Sequence, residues 1–137
     1  MKSIDVVAAI IEQHGKILLA RRPESGDQAG LWEFPGGKVD EQESQPAALT
    51  RELEEELAIK AVVGKYVASH QREVSGRIIH LHAWHVPEFT GEMQALCHSE
   101  LVWCLPAEAF NYALAPADIP LLEAFMSLRD ATPKDSC

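Results

Sequence analysis

The feature that most constrains this chain is an acidic run at residues 37–59, GKVDEQESQPAALTRELEEELAI, which holds six glutamates and one aspartate. Glu52, Glu55 and Glu56 are spaced i, i+3 and i+4, so on a helix their carboxylates lie on one face. Like charges placed in this way destabilise a helix unless a cation lies among them. Mg²⁺ prefers such oxygen ligands and usually joins one or two carboxylates to a substrate phosphate. The run therefore predicts a metal and phosphate site on a helix.

The spacing of this run resembles that of the Nudix hydrolases, whose box is G-x5-E-x7-R-E-U-x-E-E-x-G-U, with U a bulky aliphatic residue. Eight of the nine fixed positions agree, namely Gly37, Glu43, Arg51, Glu52, Leu53, Glu55, Glu56 and Ile59. The departure is Ala58, where the family has glycine. Glycine suits the left-handed residue that closes a helix, and alanine costs roughly 1 kcal/mol there. The resemblance covers nearly the whole chain and implies an α/β fold, the Nudix α/β/α sandwich with a mixed sheet between helices.

The resemblance also implies roles for the box residues. Hydrolysis of a phosphoric anhydride needs a metal ion to neutralise oxygens, a positioned water and a base for its proton. By analogy with the family, Glu52, Glu55 and Glu56 hold Mg²⁺, which Mn²⁺ can replace, together with the Gly37 carbonyl. One glutamate also activates the water, and the sequence leaves open which one. The remaining two box residues that carry charge, Glu43 and Arg51, form a pair that braces the catalytic helix.

Other segments resemble the MutT-like branch of nucleotide pyrophosphohydrolases. One such segment is LWEFPGGK at residues 31–38, where the resemblance implies substrate contacts from Glu33, Phe34, Gly36 and Lys38. It implies a further substrate contact from Arg22, nine residues before this segment. The loop before residue 101 often carries a further glutamate in this branch, and Cys97 or His98 stands near that place. Glu100 is close by. Whether it replaces the loop glutamate stays open.

Two further segments are expected to contact the nucleotide. Arg72 or Arg77, in REVSGRIIHLHAWHV, can reach it from a strand edge. Asp118, in LAPADIPLLEAF, is the expected base reader, because a carboxylate accepts a hydrogen bond from the exocyclic amine of cytosine. The alternative is that Asp118 is only a helix N-cap, and both roles can hold at once.

The resemblance thus implies hydrolysis of (d)CTP and modified cytosine nucleotides to the monophosphate and pyrophosphate. Sanitising of 8-oxo-dGTP or 2-hydroxy-dATP is the close alternative.

Composition limits the other function classes. The net charge of −9 argues against binding polymeric nucleic acid, which needs a basic surface, and favours a small nucleoside triphosphate as partner. No segment is long and apolar enough for a membrane span or a signal peptide. Three cysteines without metal-ligand spacing fit reduced thiols in a cytoplasm. We also expect a monomer or weak homodimer. A sensor that binds nucleotide without hydrolysing it would be expected to have lost box carboxylates.

Three histidines in one segment raise the possibility of a zinc site. His80 and His82 share one face of a predicted strand, whereas His85 lies on the other. No local set of three zinc ligands therefore forms.

Periodicity and turn residues predict the elements. Strands are expected at residues 4–11, 16–20, 61–67, 78–86 and 101–105, and residues 31–34 form a short apolar segment. Residues 35–37 are predicted as a tight turn, 69–76 as a polar connection and 87–99 as a loop. One helix is expected from the N-cap Ser44 to about Leu57, packing through Ala47, Ala48, Leu53 and Leu57. A helical turn at residues 106–110 and a second helix from Asp118 follow, giving one domain at 1–130 and a frayed tail at 131–137.

Overall fold

The computed structural model describes residues 2–26 and 28–131. The predicted tail lies outside these residues except for its first position, and so does Cys137. The strands are β1 Lys2–Gln13, β2 Lys16–Arg21, β3 Trp32–Glu33, β4 Gly36–Lys38, β5 Lys60–Val62, β6 Tyr66–Val74, β7 Arg77–Val86, β8 Glu88–Thr90 and β9 Glu100–Cys104. The helices are α1 Gln45–Leu57 and α2 Asp118–Ala131, with a 3₁₀-helix at Pro106–Asn111.

The predicted mixed sheet is confirmed. Among the described residues the main sheet has seven strands, with β3, β2, β1, β7 and β6 side by side, β4 added to β1 and β9 added to β2. The central strands β1 and β7 run parallel, whereas β6 is antiparallel to β7 and β2 to β1. β1 and β2 pair as a hairpin, with Gln13 opposite Lys16. A small second sheet pairs β5 with β8.

Two hydrophobic cores lie on opposite faces of this sheet. Because alternate side chains of a strand point to opposite faces, β1 contributes Val7, Ala9 and Ile11 to one core and Ala8 and Ile10 to the other. The first core is closed by α1, and the second by α2 through residues that include Leu121, Leu122 and Phe125. The α/β/α sandwich is thereby confirmed. It explains why residues 7–11 form a continuous apolar run. No helix of residues 2–26 and 28–131 is both long and apolar enough to cross a membrane.

Helix α1 begins and ends where the sequence predicts. Ser44 caps it by accepting a hydrogen bond from Ala47 N at 3.2 Å, and a proline occupies its first turn. It ends at Ala58, which adopts the left-handed conformation with φ 60° and ψ 33°. The predicted packing side needs one correction, because Ala47 is exposed while Leu49 is buried. The helix phase set by Leu53 and Leu57 places Leu49, four residues earlier, on the same face.

The predicted tight turn at residues 35–37 is wrong. Gly36 and Gly37 belong to β4, which pairs antiparallel with β1 through Val7 and Ala8. A Cβ atom on Gly36 would lie 1.9 Å from Val7 O, so only glycine permits this approach of the two backbones. The glycines thus bring the box backbone against the central strand, which positions the site described below.

The interpretation of residues 61–76 is also partly wrong. The predicted strand at 61–67 is divided between β5 and β6, and the predicted polar connection at 69–76 is mostly the strand β6. β6 alternates exposed and half-buried residues because its successive side chains point to opposite faces of the sheet, and one of these faces packs against the core. The predicted loop at 87–99 likewise contains the short strand β8. The helical turn and the start of α2 at Asp118 are confirmed.

Candidate active site

The Glu43–Arg51 pair predicted from the sequence is present and has near-ideal geometry. Arg51 Nε donates to Glu43 Oε2 and Arg51 Nη2 to Glu43 Oε1, both at 2.9 Å. These bonds, followed by one from the Asp40 backbone amide, lower the pKa of Glu43 to about 2. Arg51 Nη2 also donates to Lys38 O at 3.1 Å, which ties α1 to β4. The pair therefore fixes the helix that carries the acidic residues against the glycine strand.

Glu52 and Glu55 lie on the same side of α1 as this arginine. Arg51 Nη1 is 2.8 Å from Glu52 Oε1 and 3.6 Å from Glu55 Oε2. The Glu52 carboxylate also lies against β4, because a Cβ atom on Gly37 would come within 2.3 Å of Glu52 Oε2. Glu54, on the same helix, is exposed. Glycine at position 37 thus leaves the space that the Glu52 carboxylate occupies.

Glu56 has a different environment from its neighbours. Its Oε1 is buried and has no hydrogen-bond partner among the described residues. Burial raises the pKa of Glu56 to about 7, with His98 acting against this rise and Glu52 and Glu33 adding to it. A buried carboxylate oxygen without a donor is costly, which indicates that something outside the described chain completes it.

The donors around Glu56 fit a hard divalent cation. Within residues 2–26 and 28–131, no three acidic, histidine or cysteine side chains already converge on one point that could hold a metal ion. Arg51 instead neutralises part of the charge on Glu52 and Glu55. The unpartnered oxygen of Glu56, the Glu52 carboxylate and the nearby backbone of Gly37 are all oxygen donors, which Mg²⁺ and Mn²⁺ prefer.

A cavity of about 270 Å³ opens between the sheet and the start of α2. Its walls include most of the residues that the sequence assigns to the nucleotide. They are Arg22, Glu33, Phe34, Gly36, Arg72 and Asp118, and the cavity also reaches Gly37 and Glu56. Apolar side chains such as Ile79 and Leu81 complete the walls. The walls of this one cavity therefore include both Glu56 of the acidic helix and Asp118 at the start of α2.

Asp118 is the buried charged residue of the described core, with 4% of its surface exposed. It begins α2, and its Oδ2 accepts a hydrogen bond from Phe34 N at 3.2 Å. Burial raises the pKa of Asp118 to about 7, and Glu33 raises it further, while Phe34, Arg22 and Arg72 lower it. The carboxyl group therefore contacts the short connection between β3 and β4, in addition to starting its own helix.

Lys38 and Arg77 lie elsewhere. Both line a separate cavity of about 670 Å³ together with the acidic residues Asp5, Asp40 and Glu43. Arg72 lies on β6 and lines the cavity of about 270 Å³, whereas Arg77 begins β7 directly after the turn of the β6–β7 hairpin. The structure thus brings Arg72 to Asp118 but separates Arg77 and Lys38 from it.

The loop before β9 holds a residue whose contact the sequence did not predict. His98 Nε2 lies 2.9 Å from Glu33 Oε2, and Arg22 Nη1 lies 2.9 Å from Glu33 Oε1. Glu100 instead lies on the surface, 3.8 Å from Arg21 Nη1. In the sequence, the only indication that this loop matters was that Cys97 and His98 stand near the place of the loop glutamate of the MutT-like branch.

The histidines of β7 have separate partners. His82 Nε2 contacts Asp5 Oδ1 at 3.1 Å, and His85 Nε2 contacts Glu12 Oε1 at 2.8 Å. Each contact lies on its own face of the strand, as the alternation predicted.

Several known proteins are similar to this chain in sequence and in fold. The family model described as NUDIX domain matches residues 6–124. The chain is 73% identical over 135 residues to the CTP pyrophosphohydrolase of Escherichia coli (strain K12), covering 98% of this chain and 100% of that protein. It is 44% identical over 92 residues to an 8-oxo-dGTP diphosphatase of Haemophilus influenzae, covering 66% of this chain and 68% of that one.

Solved structures agree with these matches. The solution structure of the E. coli ORF135 protein superposes with a TM-score of 0.90 at 72% identity, covering 98% of this chain and 96% of that one. The crystal structure of a MutT NUDIX hydrolase from Burkholderia pseudomallei gives a TM-score of 0.79 at 27% identity, covering 90% and 98%.

Proposed function

This chain belongs to the Nudix family, and we propose that it is a Mg²⁺-dependent pyrophosphohydrolase of CTP, dCTP and modified cytosine nucleotides. The observation that carries the proposal is the single cavity that joins Glu56 of the acidic helix to Asp118. A nucleoside triphosphate needs both a charged end and a base-reading end. The match along the full length of a relative named for CTP supports cytosine as the base.

The acidic helix would hold the metal ion and the triphosphate. We assign Glu52, Glu55 and Glu56 as ligands, with the Gly37 carbonyl, and Mn²⁺ as a substitute for Mg²⁺. Bound there, the ion neutralises phosphate oxygens and polarises the phosphorus that is attacked. Glu43 matters through Arg51, which it holds in place against β4. Because Arg51 contacts both Glu52 and Glu55, it holds these two carboxylates close together before substrate arrives.

The reaction that this arrangement supports is attack of water on the β-phosphorus. A new bond forms between the water oxygen and that phosphorus, and the bond from the phosphorus to the oxygen shared with the α-phosphate breaks. The products are the nucleoside monophosphate and pyrophosphate. A box glutamate takes the proton of the water. Arg22, held by Glu33 at the cavity wall, supplies positive charge for the phosphates, and Lys38 can supply more from the neighbouring cavity.

At the other end, Asp118 would read the base. A pKa of about 7 means that Asp118 is partly protonated at neutral pH. A protonated carboxyl group offers one donor and one acceptor, which match N3 and the exocyclic amine of cytosine, and the ionised form still accepts from the amine. Phe34 and Arg72 border the same space, so they are placed to contact the base and the sugar. Arg77 stays a prediction, since it lies outside this cavity.

A second candidate is sanitation of 8-oxo-dGTP or 2-hydroxy-dATP, and the diphosphatase relatives favour it. It uses the same acidic helix and differs only at the base. We further propose that the protein acts in the cytoplasm on free nucleotides, as a monomer or weak homodimer. The described residues would then work as one domain, as the sequence predicts.

The experiment that tests the proposal compares kcat/KM for CTP, dCTP, 5-methyl-dCTP, 8-oxo-dGTP and 2-hydroxy-dATP with Mg²⁺, because specificity is the ratio of these values. We expect the cytosine nucleotides to have the highest kcat/KM values and the reaction to release pyrophosphate. Higher kcat/KM values for the oxidised purine nucleotides would favour the second candidate. Nucleotide binding without any product in this panel would instead indicate a sensor.

A further inference from the structure

His98 is buried within a loop that is otherwise open to solvent. Only 4% of its side chain is exposed, whereas its neighbours Cys97 and Ser99 are exposed. The loop is tied on both sides of His98, because Leu96 N donates to Glu56 O and Ser99 N to Arg21 O, each at 3.0 Å. These backbone bonds hold the imidazole in one place between α1 and β2.

The imidazole completes the hydrogen bonding of a cavity-wall carboxylate. Glu33 has one oxygen paired with Arg22 and the other 2.9 Å from His98 Nε2. A carboxylate paired with arginine can only accept, so Nε2 carries the hydrogen and donates it. With only 19% of its side chain exposed, Glu33 has little water to replace a lost donor.

We propose that His98 is a positioning residue that fixes Glu33, and through it Arg22, in the wall of the nucleotide cavity. This proposal rests on the function proposed above. Glu33 and Arg22 border the same cavity as Asp118, whereas His98 does not reach that cavity. We therefore expect His98 to affect nucleotide binding, by holding Glu33, more than it affects the rate of the chemical step.

Two substitutions of His98 by side-chain amides separate this role from others. In His98→Gln the amide nitrogen can lie near the position of Nε2, whereas in His98→Asn it can lie near that of Nδ1. The Nδ1 atom is buried without a partner among the described residues, and His98 and Glu56 both line a third cavity, of about 200 Å³. If His98 acted through Nδ1 on that cavity, His98→Asn would be the milder change. If it acts through Glu33, His98→Gln is the milder one.

The test measures KM and kcat for CTP in His98→Asn, His98→Gln and the surface control Glu100→Gln. For His98→Asn we expect KM to rise about tenfold or more with kcat changed less than about threefold, since a hydrogen bond to a charged group is lost. His98→Gln and Glu100→Gln should stay within about threefold of the parent chain in KM. A fall in kcat at constant KM, or equal damage from both amides, would overturn the proposal.

A double-mutant cycle with Glu33→Gln provides the second measurement. If His98 acts through Glu33, His98→Asn adds little to the KM of Glu33→Gln, whereas independent effects would multiply and refute the link. The same four proteins are also compared by their free energies of unfolding in urea, a measurement that does not depend on catalysis. A parent chain that hydrolyses no nucleotide would contradict the proposed function alone. The unfolding cycle would still support the His98–Glu33 link if the two changes are coupled and overturn it if they are additive.

Discussion

Glu56 near the end of α1 and Asp118 at the start of α2 line one cavity, and burial raises the pKa of each to about 7. The two carboxyl groups differ in what completes them. Asp118 accepts a hydrogen bond from Phe34 N, whereas Glu56 Oε1 has no partner within the described chain. This difference fits the proposed roles, in which Glu56 is completed by a cation and Asp118 contacts the base.

The first prediction concerns the end that needs a cation. Glu56→Gln replaces a negatively charged carboxylate of the proposed ligand set with a neutral amide. We therefore expect kcat with Mg²⁺ to fall about a hundredfold or more. Calorimetric titration with Mn²⁺ should show weaker binding. Glu54→Gln is the matched control, because Glu54 is exposed on the same helix and should leave both quantities unchanged. Equal effects of the two changes would mean that only the total charge of the helix matters.

The second prediction concerns Ala58, which closes α1 in the left-handed conformation. Ala58→Gly should raise the free energy of unfolding by about 1 kcal/mol, because glycine adopts this conformation without steric cost. The melting temperature should rise by about 4 °C. Ala47→Gly, at an exposed helical position of α1, should lower stability by a similar amount. A loss of stability in Ala58→Gly would show that the alanine methyl group makes contacts worth more than the strain.

The third prediction follows from the raised pKa of Asp118. Its usual value is 3.8 and its value in the folded chain is about 7. Between these pH values the unfolded chain has lost the proton and the folded chain keeps it, so stability falls as pH rises through this window. Asp118→Asn does not titrate and retains an acceptor for Phe34 N. Its stability relative to the parent should therefore improve from pH 4 to pH 7, by up to about 4 kcal/mol, and level off above.

Urea unfolding of the two proteins at several pH values checks this prediction. The relevant quantity is the difference between their free energies of unfolding at each pH, which cancels the other titrating groups. A difference that stays constant from pH 4 to pH 8 would mean that Asp118 is ionised throughout.

The parts of this structure that the sequence predicted depend on local chemistry. Ser44 caps α1 and the left-handed Ala58 ends it, because each acts on backbone groups a few residues away. The Glu43–Arg51 pair was predicted from the resemblance, whose spacing encodes a contact across one loop and two helical turns.

The parts that the sequence did not predict depend on distant segments. Gly36 is typical of a turn until β1 is placed against it, and the polar β6 is typical of a loop until β7 pairs with it. Arg72 and Arg77 could be separated only once the register of that hairpin was known. His98 reaches Glu33 across 65 positions of the chain, so no local pattern predicts the contact.

The most direct test of the central claim is the ratio of kcat/KM for dCTP to that for 8-oxo-dGTP, measured in the parent chain and in Asp118→Ala. Asp118 is proposed to bond to groups that cytosine presents, and losing such a bond costs about tenfold or more for the nucleotide that uses it. The account predicts that the ratio favours dCTP in the parent and falls at least about tenfold in the variant. Equal loss for both nucleotides, leaving the ratio unchanged, would contradict the assignment of Asp118 as the base reader.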